Sequence, residues 1–130
     1  MDAPIIKVIP QRHVADCGVA CLAMLCGVSY ENALVAVAQE QPNVCVTGVY
    51  LRELRTAAKR LGYALKAKRR FDLETDTGIL NLSSRKWKLE HLVLLREGLV
   101  IETDGTLWDA ELYLKQHRAK LGSLYVAEAL

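Results

Sequence analysis

At 130 residues the chain has room for one domain around one core, and not for a core with an appended ATPase or membrane unit. With 52% hydrophobic and 25% charged residues it is not a disordered chain. A net charge of +2 is too small to point to nucleic acid.

The N-terminal stretch MDAPIIKVIPQRH has an acidic second residue and two prolines. It lacks the basic start and unbroken apolar core of a secretory signal, so the chain is expected to be cytoplasmic. Ile5 to Ile9 reads as a short edge strand that Pro10 stops, delivering Gln11 into a loop.

From Gln11 to Gly27 a polar approach, QRHVAD, meets the apolar run CGVACLAMLCG at Cys17. Asp16 is a preferred N-cap residue, with a carboxylate expected to accept the first N–H groups of a helix opened by Cys17. Gly27 supplies the left-handed residue that ends the helix. A cysteine at that position sits at the positive end of the helix dipole, which favours the nucleophilic thiolate. Taken alone, a cysteine on an apolar helix is more often a core residue than a nucleophile. The run from Val14 to Val28 contains Asp16 and falls short of the roughly 20 residues that span a bilayer, so no membrane insertion is expected.

Cys17, Cys21, Cys26 and Cys45 form neither a C-x-x-C knuckle nor a set completed by a histidine cluster. No disulfide framework and no metal is read from them, and a reducing compartment is the simpler inference.

Ser29 caps a second helix through Glu31, Leu34, Val35, Val37 and Ala38, ending before Pro42. Thr47 is the expected cap of a third, with Val49, Leu51, Leu54, Ala57, Ala58 and Leu61 on its apolar side and Gly62 at its end. Arg52, Arg55, Lys59 and Arg60 on the other side read as a solvated face. Tyr63 to Arg70 alternates like a half-buried strand. Its basic cluster, Lys66, Lys68, Arg69 and Arg70, has no interleaved aromatic platform and is followed at once by Asp72, Glu74 and Asp76, so no nucleic-acid partner is assigned. Gly78 to Leu82 is another strand. Trp87, in the polar segment before His91, reads either as a wall of the site or as a structural tryptophan.

Leu92 to Thr103 forms a hairpin about the tight turn Glu97-Gly98, with Arg96 opposite Leu99. Stepping outward one pair at a time places His91 opposite Asp104 on the same face. Asp109 caps a last helix containing Leu112, Tyr113 and Leu114, Gly122 follows it, and Leu124 to Ala127 closes the sheet. His13 and His117 are given no catalytic role.

Gln11, Asp16-Cys17, Ala20-Cys21 and the apolar run into Gly27, with His91 before a strand, resemble the signature of C39-type peptidases, a branch of the papain-like cysteine proteases. The resemblance implies Cys17 as nucleophile, His91 as general base and Gln11 as oxyanion-hole donor. Without it, Gln11 reads as a solvated loop residue. The family also has an orienting Asp after its His. The hairpin register assigns that place to Asp104, with Glu102 on the same face as the alternative if the register slips by two residues.

The fold expected is α+β and papain-like: N-terminal helices, the first carrying Cys17, packed on an antiparallel sheet of about four or five strands carrying His91. Residues 1–130 read as a single peptidase domain. The expected activity is hydrolysis of a peptide or protein substrate by a stand-alone cysteine peptidase, without cofactor or metal. In the family the typical task is cleavage after a double glycine in a leader peptide, by a domain fused to an exporter. A Gly-Gly isopeptidase, an amide-exchanging acyltransferase and an idle peptide-binding module use the same scaffold and remain alternatives. A larger complex that supplies specificity is the other expected partner.

Overall fold

A computed structural model describes residues 6–85 and 90–130. Trp87 lies outside the described residues. The chain order is α1 (Cys17–Cys26), α2 (Tyr30–Ala38), α3 (Val44–Thr47), α4 (Leu51–Arg60), β1 (Tyr63–Lys68), β2 (Thr77–Ser83), β3 (His91–Arg96), β4 (Leu99–Ile101), β5 (Leu107–Asp109), α5 (Ala110–His117) and β6 (Lys120–Ala129). The architecture is the expected α+β one, with the helices first and an antiparallel sheet after them.

The α1–α2 hairpin forms as its punctuation dictates. Gly27 takes the left-handed conformation, at φ 67°, and its N–H bonds Ala23 O. The Ser29 side chain accepts from Asn32 N at 3.1 Å, capping α2. Both helices are apolar but meet at a bend of 119°, and no single helix among the described residues is long and apolar enough to cross a membrane.

Thr47 does not cap the next helix. It ends the short α3, where its hydroxyl bonds back to Asn43 O at 3.0 Å, and the long helix α4 starts after Tyr50. Glu53 closes that start by accepting from Tyr50 N at 3.0 Å, the returning half of a capping box. Arg52, Arg55, Lys59 and Arg60 lie exposed, as a solvated face requires. No strand forms over residues 6–9, and Ile5 lies outside the described residues.

Among the described residues the sheet has six strands in the order β1-β6-β2-β3-β4-β5. The last strand therefore lies between the first two, pairing Leu65 with Ala127 on one side and Ile79 with Tyr125 on the other. Gly78 permits this, because a Cβ there would stand 2.5 Å from Tyr125 O. Gly122 sits inside β6 rather than merely after α5, whose end is the left-handed Arg118. The basic cluster is partly neutralised across the sheet, by Lys66–Glu128 at 2.8 Å and Lys68–Asp76 at 3.4 Å.

Strand alternation divides the interior in two. Leu92, Leu94 and Ile79 face a core with α1, α2 and α4. Val93, Leu95, Val100, Leu80 and Leu124 face a second, with Ala110 and Tyr113 of α5. His91, at the start of β3, shares the strand parity of Val93 and Leu95.

Candidate active site

Cys17 opens α1, half-buried, while Cys21 and Cys26 of the same helix are buried and Cys45 is half-buried; all four thiols are free. Burial pushes the Cys21 thiol well up, with Cys17 and Glu102 adding to it, and burial pushes Cys26 to about 11. Gly18 lets the helix start approach its neighbours, since a Cβ there would lie 2.9 Å from Val49 Cγ1 and 3.4 Å from Leu92 Cδ1. That close approach carries Cys17 to the start of β3, where its thiol is near enough to the His91 side chain to help raise the ring.

Asp16 is the residue before the helix but does not cap it with its side chain. Its backbone is not extended, at ψ 27°, and the buried carboxylate turns back to accept from Arg12 N at 3.0 Å, His13 N at 2.9 Å and Tyr30 Oη at 2.5 Å. The first helical bond runs instead from Ala20 N to Asp16 O at 3.2 Å. The carboxylate thus ties the loop after Gln11 to α2, with the Arg12 guanidinium lying 4.2 Å above the Tyr30 ring. Burial and the Asp16 anion push the Tyr30 phenol up, so it stays a donor.

The hairpin holds the expected register for Arg96–Leu99, Leu95–Val100 and Leu94–Ile101. The ladder ends there. Glu102 N bonds Thr106 O at 2.9 Å, Gly105 N bonds Glu102 O at 2.9 Å, and Gly105 adopts φ 93°, so the chain turns before residue 104 can stand across from His91. Asp104 is exposed, and its Oδ1 accepts from Thr106 N at 2.9 Å and Thr106 Oγ1 at 2.6 Å. The carboxylate bonded to the ring is that of Glu102, with Oε1 2.7 Å from His91 Nε2. This corrects the register argument for Asp104. Glutamate sits diagonally from His91 and has the extra methylene to reach it.

Glu102 and His91 have side chains only 13% and 19% exposed. Burial alone would lower the His91 ring, but the Cys17 and Glu102 contacts outweigh it and raise the ring to about 9. Burial alone would raise Glu102; the bonds from His91, Tyr113 and Thr103 N outweigh it and lower the carboxyl to about 2. At neutral pH the pair is an imidazolium beside a carboxylate.

Gln11 is linked to this pair through Thr103, which is itself buried. Gln11 N donates to Thr103 O at 2.7 Å, and Gln11 Oε1 accepts from Thr103 Oγ1 at 2.5 Å. Thr103 N in turn bonds Glu102 Oε1 at 2.8 Å. Gln11 Nε2 donates one proton to His13 O at 2.6 Å and has a second to give. Sequence reasoning missed Thr103 and Tyr113. The Asp104-Gly105 pair, a turn signal, would have warned that the ladder stops before Asp104.

A second group of donors, His13, Asp16 and Cys45, brings its candidate ligand atoms within 4.8 Å of one another. Its carboxylate is already engaged by two main-chain N–H groups and the Tyr30 hydroxyl, so it serves the loop.

Residues 5–97 match the model of the Peptidase C39 family. The chain is 33% identical over 92 residues to a probable microcin-H47 secretion/processing ATP-binding protein of Escherichia coli, and equally to the colicin V secretion/processing ATP-binding protein of Escherichia coli. Each match covers 69% of this chain and 13% of the longer relative. The fold is that of a double glycine motif protease from an AMS/PCAT transporter, solved in complex with the leader peptide. The two align at a TM-score of 0.66 and 18% identity, over 97% of this chain and 93% of the other. The chain belongs to the Peptidase C39 family of cysteine peptidases.

Proposed function

We propose that the chain hydrolyses peptide bonds through Cys17, His91 and Glu102, with Gln11 stabilising the oxyanion. The observation that carries this is the His91 ring bonded to Glu102 and placed near enough to the Cys17 thiol to be raised by it. Glu102 occupies Nε2, so Nδ1 is the nitrogen that exchanges a proton with the thiol. The thiolate attacks the scissile carbonyl, and the oxyanion is met by Cys17 N–H and the second Gln11 amide proton. His91 gives its proton to the leaving amine as the C–N bond breaks, leaving a thioester on Cys17. Neutral His91 then takes a proton from water, whose oxygen displaces the thiolate and releases the acid. All of these groups come from one domain, which supports a peptidase that works without a second chain at its centre.

The relatives point to the substrate. The solved neighbour is a double glycine motif protease bound to a leader peptide, and the Escherichia coli relatives are secretion/processing proteins. The substrate class proposed here is a peptide cut after a Gly-Gly pair, with specificity beyond that pair supplied by a larger assembly.

Intact mass after one equivalent of a thiol probe, wild type against Cys17→Ala, tests the nucleophile. A single label that vanishes in the variant, with cleavage of Gly-Gly peptides lost alongside it, is the expected result. Labelling that survives the substitution rejects the assignment.

A further inference from the structure

The Glu102 carboxylate has a partner that the reaction above leaves unused. Tyr113 of α5 is fully buried, and its hydroxyl donates to Glu102 Oε2. The other oxygen, Oε1, meets His91 Nε2 at 2.7 Å and Thr103 N at 2.8 Å. With both oxygens held, the carboxylate cannot turn about its last bond without breaking a hydrogen bond. The phenol that holds it is itself fixed. Its ring packs against His117 at 4.2 Å between centroids and edge-on to Trp108 at 5.7 Å, while His117 Nδ1 lies 3.0 Å from Tyr113 O.

Packing does not require the hydroxyl, since phenylalanine would fill the same space. A buried O–H must nonetheless find an acceptor, and here the acceptor is the acid that orients His91. The family match ends at residue 97, before both Glu102 and Tyr113, so that match assigns neither.

We propose that Tyr113 is a positioning residue of the site, its hydroxyl holding the Glu102 carboxylate in the orientation that keeps the His91 ring turned to Cys17. The role in turnover rests on the peptidase reading; the role in orienting the ring does not. Burial and the neighbouring Glu102 anion push the phenol well up, so the hydroxyl remains a donor throughout the working range.

The test is a double-mutant cycle of Tyr113→Phe and Glu102→Gln, read in two ways: peptide hydrolysis against pH, and the rate of Cys17 alkylation by iodoacetamide at pH 7, which needs no substrate. Tyr113→Phe is expected to lower kcat about 10- to 100-fold with KM unchanged, the range a hydrogen bond to a charged group commands. The alkaline fall in kcat/KM, set by His91, moves to lower pH. The double variant is no slower than Glu102→Gln alone, because the phenol acts only through the carboxylate. Unchanged rates in Tyr113→Phe, or losses that add in full, overturn the proposal. So does a lowered melting temperature with an unmoved pH profile. If the wild type cleaves no peptide the peptidase reading fails by itself, and the alkylation cycle still decides the role of Tyr113.

Discussion

Glu102 stands diagonally from His91, and its Oε1 lies 2.7 Å from the ring Nε2. Asp104, which continued pairing would set directly opposite, instead closes a turn onto Thr106. Glu102→Gln is therefore expected to lower kcat on the order of 10⁴-fold, the scale on which neutralising an orienting acid acts. Asp104→Asn keeps an acceptor for Thr106 and should leave kcat within about twofold of wild type. Steady-state kinetics on both variants check the order, and a larger loss from Asp104→Asn would reject Glu102.

The ion pair sets a pH window for both activity and stability. The His91 ring is raised from 6.5 to about 9, so its contribution to stability is complete below 6.5 and is lost as pH rises through about 9. Glu102 is lowered from 4.5 to about 2, so its contribution is complete above 4.5 and is lost as pH falls through about 2. Hydrolysis should fall above pH about 9, when the proton for the leaving amine is gone. Melting temperature and kcat/KM measured across the same buffers should decline together on the alkaline side, and an alkaline limb absent from the rate profile but present in the melting curve would remove His91 from turnover.

Gln11→Ala should cost about 10²- to 10³-fold in kcat, as loss of one oxyanion donor does. Thr103→Val keeps the side-chain volume and removes the hydroxyl that fixes Gln11 Oε1. It should lower kcat in the same direction by a smaller factor and leave KM unchanged. Equal activity in Gln11→Ala and wild type would return Gln11 to a purely structural role in the loop.

Asp16→Ala orphans Arg12 N, His13 N and the Tyr30 hydroxyl together. The expected loss is about 3 kcal/mol of unfolding free energy, read from urea denaturation. Adding Tyr30→Phe to Asp16→Ala should recover part of it, because the stranded hydroxyl is then gone.

Much of this arrangement can be read from residue types alone. The Cys17 helix declares itself by the change from polar to apolar residues and by Gly27, and the hairpin register follows from Glu97-Gly98. Other parts depend on tertiary contact. Leu107–Asp109 is too short to show alternation, yet it pairs with β4 and becomes β5. Tyr50 is not a capping residue by type, so only Glu53, three residues on, marks the start of α4. Asp16 has the chemistry of an N-cap but turns its carboxylate to the preceding loop, a choice made by Tyr30 from another helix. The links Gln11–Thr103 and Glu102–Tyr113 join residues from separate elements, and no local pattern announces them.

The placement of β6 between β1 and β2 bears on how the protein is made. A ribosome releases β1 long before β6, and among the described residues β1 has no other neighbour in the sheet until residues 120–129 emerge to pair with it. Among the described residues, every pairing that joins β1 to the rest of the sheet is thus made by β6, a contact of long sequence separation and correspondingly slow closure.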